Sequence, residues 1–221
     1  MKRYAIIVAA GSGLRMGSPV PKQFLTVCGK PILMHTMQRF YDFDNVLELI
    51  VVLHEDYRNY WNELCEQYNF VIPHRIVSGG RERFFSVRNA VQSIGEVDAV
   101  VGIHDAVRPM VSIDTLTRCF DEAEAKGTAV PTIVINDSIR IVEAAENRSV
   151  DRSKYRIVQT PQCFRLSLLN RAFEQEYDPL FTDDASVVEA LGEAIHLVEG
   201  NRENVKITTA ADLKLAELSL C

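Results

Sequence analysis

The chain has 221 residues, of which 47% are hydrophobic and 24% charged, and its formal net charge is −6. This composition suits a single soluble globular domain, and the acidic balance argues against nucleic-acid binding, which needs a basic face. No apolar stretch approaches the roughly 18 residues of a membrane span, so we expect no membrane insertion. The five cysteines are scattered without a C-x-x-C pair, which predicts reduced thiols in a cytoplasmic protein.

Apolar runs of strand length alternate with segments of helical periodicity from the first residues to Gly127. This alternation predicts an α/β fold: a Rossmann-like, mostly parallel sheet with helices on both faces. We expect one domain over residues 1–221. The predicted elements are strand 4–10, helix 32–43, strand 47–53, helix 56–69, strand 74–80, helix 83–94, strand 98–105, and a helix that Ser112 caps and Gly127 ends.

The alternation breaks after Ala129. Short strand-like segments surround the charged turn AENRSVDRSKY, which predicts an extended β-hairpin arm at about 136–158. Exposed hairpin edges need a partner, so we expect the arm to pack on a second subunit in a homodimer. The remaining predicted elements are helices 165–177 and 182–192, strands 195–200 and 204–208, and a helix 210–220 that begins with a capping box of Thr209 and Asp212.

A glycine-rich loop follows the first strand. Gly11, Gly13 and Gly17 have the spacing G-x-G-x-x-x-G, which fits neither the dinucleotide fingerprint nor the P-loop. Bare backbone N–H groups at a strand end still favour an anion, and Arg15 and Lys22 add positive charge. The glycines alone are equally well explained by a tight turn with solvated cations.

Ligands of open parallel sheets bind at the carboxyl ends of the strands, where three unusual loops of this sequence fall. They are the Gly11 loop, Gly79-Gly80, and His104-Asp105 with Arg108. Asp105 ends an apolar strand, where a carboxylate is costly unless it is paired or binds a metal. Mg²⁺ held with substrate phosphates is one explanation, and a salt bridge to Arg108 is the other. Asp183-Asp184 is explained more simply by a helix N-cap than by a metal site.

Six segments occur in the order AAGSGLRM…PKQF, GGRERFFSV, HDAVRP, VDRSKYRIVQTPQCF, TDDASVVE and NVKIT. Together they closely resemble the 2-C-methyl-D-erythritol 4-phosphate cytidylyltransferase family, from about residue 3 to residue 218. The resemblance implies that CMP is transferred from CTP to 2-C-methyl-D-erythritol 4-phosphate, with release of pyrophosphate, in non-mevalonate isoprenoid precursor biosynthesis. Such a step needs positioning and charge neutralisation and no covalent enzyme intermediate.

The resemblance also implies roles for residues of this sequence. Arg15 and Lys22 match loop cations that stabilise the transition state. Arg152 matches an arginine that reaches from the partner subunit to the methylerythritol phosphate, and Lys206 matches a lysine that grips the same phosphate. Asp105 matches the protein ligand of Mg²⁺. The positions that match nucleotide- and substrate-binding groups are Ala9, Ala10, Gly11, Gly13, Gly79, Gly80, Arg83, Ser86, Asp105, Ala106, Arg108, Ser138 and Thr160.

Three positions depart from the family pattern. Val107 replaces a common alanine, Arg81 stands where an aspartate can follow the glycine pair, and Ser138 replaces a threonine.

Three other functions compete with this one. Ribitol-5-phosphate cytidylyltransferases share PKQF, HDAVRP and QTPQ-like motifs, and Val107 favours them. In contrast, AAGSG, VDRSKY, TDDAS and the chain length favour methylerythritol phosphate. A CTP sensor without turnover would not need all four cations together. A dehydrogenase is disfavoured by the glycine spacing.

Overall fold

A computed structural model gives the structure of the protein and describes residues 1–11, 20–95, 97–144 and 146–221. The strands are β1 (Lys2–Val8), β2 (Thr26–Val27), β3 (Lys30–Pro31), β4 (Glu48–Leu53), β5 (Arg75–Ser78), β6 (Ala99–Asp105), β7 (Thr128–Val134), β8 (Arg140–Glu143), β9 (Glu146–Ser149), β10 (Arg156–Val158), β11 (Gln162–Arg165) and β12 (Leu197–Glu199). The α-helices are α1 (Ile32–Phe43), α2 (Arg58–Gln67), α3 (Arg83–Gln92), α4 (Ile113–Lys126), α5 (Leu166–Phe173), α6 (Asp184–Glu189) and α7 (Ala210–Leu220).

Eight of the strands form the central sheet, in the order β10-β7-β11-β6-β1-β4-β5, with β12 also paired to β7. Strands β6, β1, β4 and β5 run parallel to one another, whereas β11 and β10 are antiparallel to their neighbours. Val8 of β1 is in register with Val52 of β4 and with Asp105 of β6. The predicted α/β fold is confirmed, and the loops after these three strands leave the sheet at one edge.

Successive residues of β1 point to opposite faces of the sheet, as the period of a strand requires. Ala5 and Ile7 pack in the cluster that holds buried side chains of α1, α2 and α4. Tyr4 and Ile6 pack in a second cluster with α3, α5 and α6. Since β1 is buried on both faces, its run of apolar residues is continuous. The prediction of helices on both faces is therefore confirmed.

Helix caps were predicted well, and other boundaries less well. The Ser112 side chain accepts a hydrogen bond from the Thr115 N–H, and Gly127 ends α4 in the left-handed region at φ 93°. Thr209 and Asp212 form the predicted capping box. The strand predicted over 204–208 is wrong: this segment is irregular, and it is held by side chains and by isolated backbone bonds such as the one from Ile207 N to Val107 O. None of the described helices has the length and apolar run that a membrane crossing needs.

The predicted arm is shorter in the structure than in the sequence interpretation. Within the predicted arm, only β8 and β9 pair as a separate hairpin, with Arg140 opposite Ser149. The flanking strands stay in the main sheet, where Val134 of β7 is opposite Arg156 of β10. The reason is that the apolar residues on both sides of the charged turn find pairing partners at the sheet edge. Packing of the arm on a second subunit stays a prediction.

A disulfide joins Cys28 to Cys221, so the expectation that all thiols are reduced is wrong. Cys28 lies with Gly29 in the two-residue turn between β2 and β3, and both have positive φ, as such hairpin turns require. Helix α7 packs against β2 and brings the two Cα atoms to 5.6 Å, a distance that a disulfide spans. Only this packing brings the two cysteines together, so their separation in the sequence offered no signal.

Candidate active site

A cleft of about 530 Å³ opens at the carboxyl ends of β1, β4 and β6, beside the start of α3. The three loops that the sequence placed at this edge meet there, as the parallel topology requires. Ten of the predicted site residues line the cleft: Ala9, Ala10, Gly11, Lys22, Gly80, Arg83, Ser86, Asp105, Ala106 and Lys206. Gly13 and Arg15, also predicted, lie outside the described residues.

The first loop is held by Gln23, which is buried and follows Lys22 in a 3₁₀ turn. The Gln23 side chain donates to the Ala9 carbonyl at 2.7 Å and to the Gly11 carbonyl at 3.1 Å. The next residue, Phe24, packs edge-on against the Tyr60 ring at 5.3 Å between centroids. Gln23 thereby joins the segment that carries Lys22 to the backbone of the glycine loop, although nothing in the sequence analysis gave it a role.

The glycine pair brings backbone close to the first loop. The Gly79 N–H bonds to the Leu53 carbonyl at 2.8 Å, and a Cβ at Gly79 would lie 2.5 Å from the Ala10 Cβ. The Gly80 N–H donates to the Ser86 hydroxyl at 3.0 Å. Only residues without a side chain fit this approach, so Gly79 shapes the cleft wall from behind while Gly80 faces the cleft.

Asp105 is the electrostatic centre of the cleft. The ammonium of Lys206 and the Nε of Arg108 each lie 3.1 Å from its Oδ2. Burial alone would raise the pKa of this carboxyl, but Lys206, Arg83 and Arg108 outweigh burial and hold the pKa well below its usual value. The salt bridge to Arg108, which was one of the two explanations from the sequence, is present. Lys206 forms a second salt bridge to the same carboxylate. Asp105 is therefore an ionised carboxylate with cations on one oxygen.

The donor set around Asp105 fits a metal only in company with a ligand. Among the described residues no group of three His, Cys, Asp or Glu side chains converges as a metal site. Lys206 and Arg108 both contact Oδ2 of this carboxylate. One carboxylate oxygen with substrate phosphates is a usual arrangement for Mg²⁺. The residues present thus fit Mg²⁺ carried by a polyphosphate and not a metal held by protein alone.

A buried network behind Asp105 fixes its backbone. The Asp105 N–H donates to the Thr160 hydroxyl at 3.1 Å, and this hydroxyl lies 3.0 Å from Nδ1 of His104. Nε2 of His104 lies 3.0 Å from the Arg108 carbonyl, which can only accept, so Nε2 carries a proton. Burial lowers the pKa of His104 to about 4. Thr160, a predicted substrate position, is buried and uses its hydroxyl inside the protein.

The family model for 2-C-methyl-D-erythritol 4-phosphate cytidylyltransferase matches residues 4–221. The chain belongs to this family. A relative of that name from Bacteroides fragilis is 50% identical over 220 residues, with 100% of both chains covered. One from Porphyromonas gingivalis is 49% identical, with 99% of this chain and 98% of the relative covered. The crystal structure of the Thermus thermophilus protein of that name is 32% identical over 100% of both chains, with a TM-score of 0.80.

Family membership makes the chain a nucleotidyltransferase, and its cleft also contains residues that the sequence interpretation did not assign. His54 and Gln23 line the cleft. His54 follows β4 at the carboxyl edge of the sheet, so the rule that located the other loops was a sufficient signal for it. In the sequence Gln23 is only a polar residue between Lys22 and Phe24, and that pattern predicts neither its burial nor its backbone partners.

Five predicted residues of this cytidylyltransferase-family chain do not line the cleft: Gly79 and Thr160, described above, and Arg108, Ser138 and Arg152. Arg108 stands behind Asp105 and donates from NH1 to the Asn204 carbonyl at 2.7 Å. Ser138 precedes the β8–β9 hairpin and Arg152 follows it, and both side chains are exposed. Arg152 donates to the Asn136 carbonyl. Arg152 and Ser138 therefore do not contribute to the cleft of their own chain as described.

Proposed function

We propose that this chain transfers CMP from CTP to 2-C-methyl-D-erythritol 4-phosphate, forming 4-CDP-2-C-methyl-D-erythritol and pyrophosphate. One observation supports the proposal most: Lys22 and Lys206 line the same cleft as the bare backbone of Gly11 and Gly80. Two ammonium groups and open N–H groups at a strand edge suit a triphosphate and an incoming alkyl phosphate.

The chemical step is a displacement at the α-phosphorus of CTP. A phosphate oxygen of methylerythritol phosphate forms the new P–O bond, and the bond to the bridging oxygen of the β-phosphate breaks as pyrophosphate leaves. The nucleophile is already an anion, so no protein base is required, and His104 is buried and neutral. Charge builds on the phosphoryl oxygens, where Lys22 and Arg15 would neutralise it. Loss of one such donor costs about 100- to 1000-fold in rate.

Asp105 would hold Mg²⁺ through its carboxylate. Lys206 and Arg108 contact Oδ2 and keep the carboxyl ionised, which a metal ligand must be. When bound with the phosphates of CTP, the metal would supply charge neutralisation. Lys206 would in addition reach the phosphate of the second substrate, since its side chain is part-exposed in the cleft.

The nucleotide end of the cleft is built from small residues. Ala9, Ala10 and Gly80 line it, and the close approach of Gly79 to Ala10 brings two backbone segments within reach of one flat ligand. Main-chain N–H and C=O groups held this rigidly can read the edge of a pyrimidine. The Ser86 hydroxyl donates to the Glu82 carbonyl at 3.1 Å and accepts from Gly80, which holds this wall in place.

A homodimer would complete the site. The arm and the neighbouring sheet edge expose the apolar side chains of Val134, Val142, Ile157, Val158 and Leu197. Exposed apolar side chains at unpaired strand edges call for a partner. Arg152 and Ser138 lie on this same part of the chain, outside their own cleft. We infer that they act in the cleft of a second copy, where Arg152 would position the methylerythritol phosphate.

The test is pyrophosphate release by the purified protein with CTP, Mg²⁺ and either methylerythritol phosphate or ribitol 5-phosphate. Methylerythritol phosphate should react faster, and faster release with ribitol 5-phosphate would overturn the substrate assignment. The variant Lys22→Ala separates an enzyme from a CTP sensor. An enzyme should lose about 100- to 1000-fold in turnover, whereas a sensor has no turnover to lose.

A further inference from the structure

A buried ion pair joins the starts of α3 and α6 beside the cleft. NH1 of Arg83 lies 2.7 Å from Oδ1 of Asp184, and NH2 lies 2.6 Å from Oδ2, so the pair is bidentate. The Asp184 side chain is 1% exposed, whereas the Arg83 side chain is 32% exposed and lines the cleft. The guanidinium therefore separates the carboxylate from the cleft, and of the two groups only the guanidinium can contact a ligand there.

Asp184 is held rigidly by its neighbours in sequence. Asp183 caps α6 by accepting from the Ser186 N–H at 2.9 Å. Gln162 of β11 donates to Oδ2 of Asp183 at 2.8 Å and accepts from the Ala185 N–H at 2.8 Å. These bonds hold the first turn of α6 on both sides of Asp184, so its carboxylate has one position and determines the orientation of Arg83.

The pairing leaves Arg83 with unused donors, and the ion pair as a whole has little net charge. A guanidinium has five N–H groups, of which this bidentate pair uses two. Arg83 makes no other hydrogen bond within the described residues. Burial alone would lower the pKa of Arg83, but the Asp184 carboxylate outweighs it and the pKa lies above its ordinary value. Burial raises the pKa of Asp184, yet two short bonds from a guanidinium keep this carboxylate ionised.

A cation neutralised in this way is a poor phosphate ligand and a good donor to a neutral acceptor. Desolvated ion pairs attract a further anion weakly, because the paired carboxylate repels it. We propose that Asp184 is a positioning residue, which aims Arg83 at an uncharged acceptor of the nucleotide, its ribose or base, and keeps Arg83 from binding the phosphates. This deepens the proposed function, and it rests on CTP as the ligand of the cleft.

The variant Asp184→Asn tests the proposal with probes for the two halves of the nucleotide. The KM for CTP should rise about ten-fold with kcat changed less than about three-fold, and inhibition by cytidine should weaken about as much as KM rises. Inorganic triphosphate should inhibit the variant as well as or better than the parent, because no carboxylate then balances the charge of Arg83. Equal weakening of cytidine and triphosphate, or no change in either, would overturn the proposal.

Four further variants keep the test decisive if the first variant folds poorly. Glu189→Gln removes an exposed carboxylate from the same helix and leaves Arg83 paired, so it should retain the KM of the parent. Asp184→Glu keeps the charge and should recover part of the affinity for cytidine. The double variant Arg83→Met with Asp184→Asn should be no weaker for CTP than Arg83→Met alone; an additive loss contradicts a role through Arg83.

The parent protein separates this inference from the proposed function. If calorimetry finds no CTP binding to the parent, the proposed function fails and this inference fails with it. If the parent binds CTP and releases pyrophosphate normally while Asp184→Asn matches it with every probe, the inference alone is wrong.

Discussion

The carboxylate of Asp105 lies 3.1 Å from the ammonium of Lys206, although the two residues come from opposite halves of the chain. Asp105 ends the buried strand β6, whereas Lys206 lies in an irregular segment before α7. Ile207, next to Lys206, is buried with Val27, Val107 and Ala216 of α7. The position of Lys206, and with it the charge around Asp105, therefore depends on the packing of α7.

Lys206→Met should lower kcat/KM about 100- to 1000-fold, because it removes a cation from Asp105 and from the proposed phosphate site. The pKa of Asp105 should rise as well, since Lys206 is the largest of the charges that lower it. Lys214→Met, on the exposed face of α7, is the matched control and should change kcat/KM less than about two-fold. A steady-state assay with Lys206→Met within three-fold of the parent would contradict the assignment.

Protonation of His104 should lower the free energy of unfolding as the pH drops from about 6.5 to about 4. The pKa of His104 is 6.5 when unfolded and, because of burial, about 4 when folded. The unfolded state therefore binds more protons than the folded state in this range. The full contribution of His104 to the free energy of unfolding is present only above pH 6.5. The loss amounts to roughly 3 kcal/mol.

Urea titrations between pH 4 and pH 7 measure this effect. The difference in unfolding free energy between the parent and His104→Gln should shrink toward low pH. His54→Gln, which changes an exposed histidine, should keep the slope of the parent. Parallel curves for the parent and His104→Gln would show that His104 does not titrate as its burial requires.

Gly79→Ala should destabilise the fold by about 1–3 kcal/mol and weaken CTP binding. Its Cβ would lie 2.5 Å from the Ala10 Cβ, so the first loop would have to move. Gly11→Ala is the control, because no described atom lies within 4 Å of a Cβ at that position. Thermal unfolding should separate the two variants, and equal melting temperatures would refute the packing argument.

Two inactive variants should restore activity when they form a mixed dimer. Arg152→Ala and Lys206→Met remove groups that we place in one cleft from different subunits. A mixture refolded or co-expressed together should contain one intact cleft per mixed dimer and recover roughly a quarter of the parent activity. No recovery, with mixed dimers verified by light scattering and mass spectrometry, would place Arg152 outside the partner's cleft.

Reduction of the disulfide should destabilise the protein without changing its fold. The bond closes a long loop between Cys28 and the end of the chain, and loss of such a bond typically costs about 2–4 kcal/mol. Urea midpoints with and without dithiothreitol measure the change, and the double variant Cys28→Ser with Cys221→Ser should show no response to reductant. Thiol titration of the denatured protein should detect only Cys65, Cys119 and Cys163; detection of all five would contradict the bond.

Local patterns were enough to predict the architecture. The apolar run of β1, the capping serine and glycine of α4 and the capping box of α7 act within a few residues, so the sequence contains the whole signal. The parallel alternation also located the cleft, because parallel strands end at one edge of the sheet. The family pattern added roles for residues such as Lys206, which by itself looks like a charge in an ordinary strand.

Only the tertiary structure decided the contacts that give those residues their electrostatic setting. Asp184 follows a capping residue and would pass for part of the cap, yet its carboxylate binds Arg83 on another helix. The same holds for the pairing of Asp105 with Lys206 and of Cys28 with Cys221. Each contact requires two side chains to meet within a few ångströms after the helices have packed, and the packing distance between elements is not encoded in the period of either one.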